Sequence, residues 1–129
     1  MQEKIKRTLP ILEALIRGYE SGDFTPFYTF LAEDCVWQSE WVEEPVEGRE
    51  KVMAYYEKKA AITRNSRRSS MHYFLVEIPE LEDLGILMAS SYLEKEGGVL
   101  LTLDLNEEGM VTGIDLDMPE LYDFSRYAG

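Results

Sequence analysis

The hydrophobic period changes at Asn65, and that change limits the chain to few architectures. Before it, apolar residues recur at helical spacing, interrupted by one alternating stretch. After it, short runs rich in aromatic and β-branched residues are bounded by Gly, Pro, Asn and acidic turns. Leu9, Leu12, Leu15, Ile16 and Tyr19 predict an amphipathic helix over about Thr8 to Ser21, with Thr8 as N-cap and Gly22 as the C-terminal glycine. A start nearer Gln2 would put Pro10 inside that helix and kink it. Thr25-Pro26 is a second start signal, with Phe27, Phe30 and Leu31 on the buried face. A strand is expected from about Cys35 to Trp41, then a polar loop from Val42 to Glu47. A third helix runs from Gly48 or Arg49 to about Ile62, with Val52, Tyr55, Tyr56 and Lys59 at helical spacing.

The second half reads as four strands in a meander: Met71 to Ile78, Ile86 to Lys95, Val99 to Leu105 and Met110 to Asp117. Turns at Glu96-Gly97-Gly98 and Asn106 to Gly109 separate the last three. Three helices with one inserted strand, followed by a meander, give an α+β order. A curved sheet that buries one face against those helices encloses a cavity. All 129 residues suit one domain, long enough to bury a core.

Charge removes whole classes of partner. The formal net charge is −12, which argues against nucleic acid and against anionic membrane surfaces. The apolar runs are too short for a membrane span, and the first ten residues lack the apolar core of a signal peptide. Cys35 is the single cysteine, so no intrachain disulfide forms, which suits a cytoplasmic location.

Three segments, AEDCVWQS, EGREKVMAYY and LDLNEEGMVTGI, stand in an order and spacing that resemble the nuclear transport factor 2-like superfamily. That superfamily includes the SnoaL-like proteins and ketosteroid isomerase. The resemblance covers about residues 9 to 118. It implies a cone-shaped, curved mixed sheet wrapped around three N-terminal helices and enclosing a pocket. It does not carry over the isomerase chemistry. The place of the general base falls on Ser39, and the places of the two oxyanion donors fall on Leu15 and Leu101. Leucine donates no hydrogen bond, and a serine hydroxyl does not take up a proton as a carboxylate does. Tyr56 matches a supporting tyrosine. The Asp-Arg-Asp cluster of limonene epoxide hydrolase is not visible.

The same frame predicts the pocket lining: Leu15, Tyr19, Trp37, Ser39, Tyr56, Leu101, Leu103, Ile114, Leu116 and Met118. An apolar wall with a few polar tips suits a small hydrophobic molecule. The competing reading is that these side chains fill the cone as packed core. His72, the lone histidine, joins Ser39 as a candidate for proton transfer or substrate orientation only if its strand turns it inward. Cys35 reads as a buried thiol. Asp104, Asp115 and Asp117 share the outward parity and read as solvated or dimer-rim charges, without a metal pattern. Lys58, Lys59, Arg64, Arg67 and Arg68 read as cations at a helix C-terminus or as an anion-attracting patch.

Two functions follow. One is a SnoaL-like domain that binds a small molecule in a largely apolar pocket. The other is a cofactor-independent isomerase, cyclase or hydrolase acting on a small hydrophobic substrate by acid–base chemistry. Neither calls for a metal. A carrier of the nuclear-transport type rests on fold analogy alone. A homodimer through the outer sheet face is expected, with Leu100, Val111, Thr102 and Gly113 as its patch.

Overall fold

The structure, a computed structural model, describes residues 3–41, 44–65, 71–90 and 98–117. The helices are α1 (Glu3–Ser21), α2 (Thr25–Tyr28) and α3 (Arg49–Asn65). The strands are β1 (Leu31–Ser39), β2 (Val46–Glu47), β3 (Met71–Ile78), β4 (Asp83–Ser90), β5 (Val99–Leu105) and β6 (Val111–Asp117). They form one unclosed, curved sheet in the order β2-β1-β6-β5-β4-β3, parallel between β1 and β6 and antiparallel elsewhere. This is the expected α+β cone.

One core lies between the helices and the inner face of the sheet. Ile11, Leu12 and Leu15 of α1 and Val52, Tyr56 and Ala60 of α3 meet Cys35, Trp37, Ile86, Met88, Leu101, Leu103, Ile114 and Leu116 of the strands. The inward parity of Cys35, Trp37 and Ser39 holds. It stops there: β1 ends at Ser39, and Trp41 stands in the following turn, half exposed.

Local expectations fail where tertiary contacts outweigh local signals. Thr8 is not an N-cap. The helix begins at Glu3 and carries Pro10 inside it, where the ring leaves the Lys6 carbonyl without its usual N–H donor. Contacts across the chain hold those first turns: Lys4 Nζ donates to the Leu81 carbonyl (2.8 Å) and Arg7 Nη1 to the Glu107 carbonyl (3.2 Å). Thr25 is not an N-cap either. Phe24 holds the N-cap position without a side-chain hydrogen bond; one residue earlier, Asp23 Oδ1 accepts from the Thr25 amide (3.0 Å) and hydroxyl (2.5 Å), and these bonds hold the Asp23 carboxyl below its usual range. The loop expected before α3 contains β2, which pairs Val46 with Trp37 and Glu47 with Val36. The third helix runs on to Asn65 and β4 begins at Asp83.

The end of α1 does follow its local signal. Gly22 has φ +80°, and its amide donates to the Gly18 carbonyl (2.8 Å). That left-handed conformation favours glycine. Arg64, in the last turn of α3, donates to the Gly22 carbonyl (2.6 Å), tying the two helix ends together.

Candidate functional site

The expected lining residues are brought together, but as core. Leu15, Trp37, Tyr56, Leu101, Leu103, Ile114 and Leu116 belong to one packed cluster, and Tyr19 lies partly buried against it. Met118 lies outside the described residues. The clefts bordered by described residues open at the surface. One, of about 620 Å³, runs past Glu33 and Met53 at the start of α3. A smaller one, about 220 Å³, reaches the ends of β1 and β6, where Ser39, Glu40, Leu116 and Asp117 border it.

Within the packed interior three polar atoms stand out. Trp37 Nε1, Ser39 Oγ and Tyr56 OH are buried without a well-formed hydrogen bond to the protein, although the Tyr56 phenol lies near enough to the Tyr19 phenol and the Trp37 indole to interact with both. Buried polar groups are nearly always paired, because losing water without a replacement costs about 1–3 kcal/mol each. Two of the three are consecutive inward positions of β1, and α3 brings Tyr56 beside Trp37. The indole N–H is a donor only.

Aromatic rings surround these tips. Tyr19 packs on Tyr56 at 6.2 Å, Phe24 on Tyr56 at 4.9 Å and Phe27 on Tyr56 at 5.4 Å, between ring centroids. The predicted lining left out two members, Tyr55, which helical spacing did place on α3, and Tyr73. Tyr55 tilts over Trp37 at 4.3 Å, and Tyr73 stacks on Tyr19 at 5.2 Å. The pairing of Tyr55 with Lys59 four residues on was the available signal, since Lys59 Nζ stands 5.7 Å over the Tyr55 ring. Tyr73 was not readable without the strand register. Burial pushes the Tyr55 phenol up to about 12. It raises Tyr19 and Tyr56 further, so both remain neutral donors in water near neutrality.

His72 is a correction. Its neighbour Tyr73 turns inward, so His72 projects from the outer face of β3, exposed and stacked on Phe74 at 6.3 Å. It does not join Ser39. The outer-face dimer patch also needs correcting. Val111 is fully buried in the main core, because the register shift between Asp104 and Leu105 flips the parity of the start of β6. Leu100 is buried with Val76, Ile78 and Leu87 in a second cluster.

The acidic residues keep their outward parity. Gln38 Nε2 donates to Asp115 Oδ1 (2.5 Å). Partial burial, and after it the neighbouring Asp115, raises the Asp104 carboxyl; burial, then Glu40 and Asp115, raises Asp117. Among the described residues no group of three or more His, Cys, Asp or Glu is placed to hold a metal ion, and no helix is long and apolar enough to cross a membrane. Arg64 of the basic cluster is tied to Gly22 and Lys59 to Tyr55, Lys58 is exposed, and Arg67 and Arg68 lie outside the described residues.

Solved structures share this architecture. A steroid Δ-isomerase from Pseudomonas aeruginosa superposes with a TM-score of 0.64 at 12% identity, over 91% of this chain and 82% of that one. The epoxide hydrolase/cyclase-like enzyme SalBIII, of pyran ring formation in the polyether salinomycin, gives 0.64 at 15% identity, over 92% and 94%. An NTF2-like protein of unknown function from Cytophaga hutchinsonii gives 0.59 at 15%, over 88% and 97%. The chain has the nuclear transport factor 2-like fold. No protein-family model matches the sequence, and no curated protein matches it. At these identities the likeness is one of fold, and this fold hosts enzymes and proteins of unknown function alike.

Proposed function

We propose that this nuclear transport factor 2-like domain binds a small, largely apolar molecule between α1, α3 and the inner face of the sheet. The observation that carries this reading is the set of buried atoms without a well-formed hydrogen bond, Trp37 Nε1 and Tyr56 OH among aromatic rings and Ser39 Oγ at the neighbouring cleft. A ligand with an acceptor oxygen satisfies the donor-only indole, and its apolar body replaces ring contacts. The cleft bordered by Ser39 and Leu116 is the proposed entrance, and its carboxylates Glu40, Asp115 and Asp117 disfavour an anionic ligand. Leu15, Tyr19, Leu101, Leu103 and Ile114 complete the proposed lining.

The acid–base alternative lacks a supporting observation. Asp83 is the one carboxylate buried among the described residues. It faces Thr8, eleven positions before Tyr19 on α1, which is about 16 Å along the helix. The polar tips are therefore read as orienting groups rather than as an acid and a base.

Native mass spectrometry of the purified protein, followed by thermal-shift titration with neutral aromatic ketones and matched hydrocarbons, tests the reading. The expected result is a retained mass or a ketone-specific rise in Tm that Trp37→Phe abolishes. No retained mass and no shift with any compound would overturn it.

A further inference from the structure

The sheet treats its two edges differently. At one edge stands β2, two residues long, with Pro45 before it and Glu47 within it. Short length, proline and charge are the means by which proteins keep an edge from pairing with another strand. At the other edge stands β3, eight residues long, paired through its whole length to β4 without a register shift. Among the described residues it pairs with β4 alone. It carries no Lys, Arg or Pro and no bulge, and its one acidic residue is Glu77, near the end.

Its side chains match an edge that no other strand covers among the described residues. Met71, Phe74 and Leu75 are 36%, 44% and 40% exposed, three of the six large hydrophobics exposed among the described residues. Phe74 lies on the outer face with His72, and Leu75 on the inner face with Tyr73. Apolar surface is thus exposed on both faces of one strand, as it is in a strand waiting for a neighbour.

We propose that β3 pairs antiparallel with β3 of a second copy, joining two six-stranded sheets into one. A twofold axis perpendicular to the sheet keeps inner faces inner and requires a residue to face its own copy at the axis. Centred on Phe74, this register sets Phe74 against the partner's Phe74, Tyr73 against the partner's Leu75 and His72 against the partner's Val76. Every one of these cross-strand pairs has an apolar or aromatic partner. Glu77 faces the partner's Met71 and stands about 20 Å from the other Glu77 along the strands, roughly two Debye lengths at physiological salt. The local neutrality of residues 71–76 lets two strongly acidic chains meet here. This interface is the sheet edge, distinct from the outer face.

Sedimentation velocity from 5 to 200 µM, read beside far-UV circular dichroism, tests the proposal. The wild type is expected to dimerise, and Phe74→Lys to weaken the dimer about tenfold or more by opposing two ammonium groups across the axis. A second measurement does not depend on how well that variant folds. In a Cys35→Ser background, Phe74→Cys should cross-link on oxidation, since directly opposed residues lie within disulfide reach. His72→Cys should not, its two copies being about 14 Å apart along the strands. A wild type that stays monomeric at 200 µM overturns the proposal. So does a dimer that a folded Phe74→Lys leaves intact, or one in which Phe74→Cys fails to cross-link.

Discussion

The Thr8 hydroxyl on α1 stands 3.2 Å from the Asp83 carboxylate at the start of β4, and both residues are buried. The same hydroxyl lies 2.8 Å from the Lys4 carbonyl, while Asp83 Oδ1 accepts from the Leu84 amide at 2.8 Å. This pairing docks the first turns of α1 on the sheet, across a proline that weakens the helix from within. Thr8→Val keeps the shape and removes the single hydroxyl proton that the Lys4 carbonyl and the buried Asp83 carboxylate share. It should cost about 1–3 kcal/mol, and Thr8→Ser should restore most of it. Urea unfolding measures both; an unchanged midpoint in Thr8→Val would show that the contact contributes nothing.

Gly18 is held by the packing of a ring, not by its backbone angle. A Cβ there would run into the Phe24 ring, itself fully buried. Helix propensity favours alanine over glycine by about 1 kcal/mol, whereas overpacking a core costs about 1–3 kcal/mol. Gly18→Ala should therefore destabilise despite lying in a helix. A rise in Tm would mean that Phe24 moves aside freely.

The buried phenols make stability depend on alkaline pH. Tyr55 is pushed up to about 12 by burial, and Tyr19 and Tyr56 higher still, whereas the unfolded chain titrates near 10. The folded state then holds protons that the unfolded state releases. Its advantage is full below pH 10 and falls above it by about 1.4 kcal/mol per pH unit for each such tyrosine. Ultraviolet titration should show a class of tyrosines that ionise only as the protein unfolds. Ionisation of all eight along one curve near pH 10 with the fold intact would refute this.

Cys35 should be chemically silent in the native protein. Its thiol is buried and raised chiefly by that burial, with Asp34 adding to the effect against a backbone hydrogen bond and Arg49. A disulfide reagent at neutral pH should label it slowly in buffer and completely in denaturant. Rapid native labelling would place the thiol at the surface.

The lining residues show how far strand parity carries. Trp37 and Ser39 were legible as inward because β1 alternates from Cys35 to Ser39, beyond the register shift at its start. Val111 was not, since one register shift in the β5–β6 pairing reverses every side chain before it. His72 and Tyr73 were ambiguous for the same reason. Neighbours on a strand face opposite ways, and only the pairing of β3 with β4 says which of them meets the core.

By itself the sequence determined the order of the elements apart from β2, the class of fold and the inward set that became the core. These follow from hydrophobic period and from glycine and proline punctuation, which act over a few residues. Tertiary structure decided that Thr8 meets Asp83 rather than capping a helix, that Trp37, Ser39 and Tyr56 bury polar atoms in the packed cone, and that His72 faces away from them. Each of these joins residues far apart in the chain. Which long-range contacts form depends on register and packing, and no local pattern encodes either.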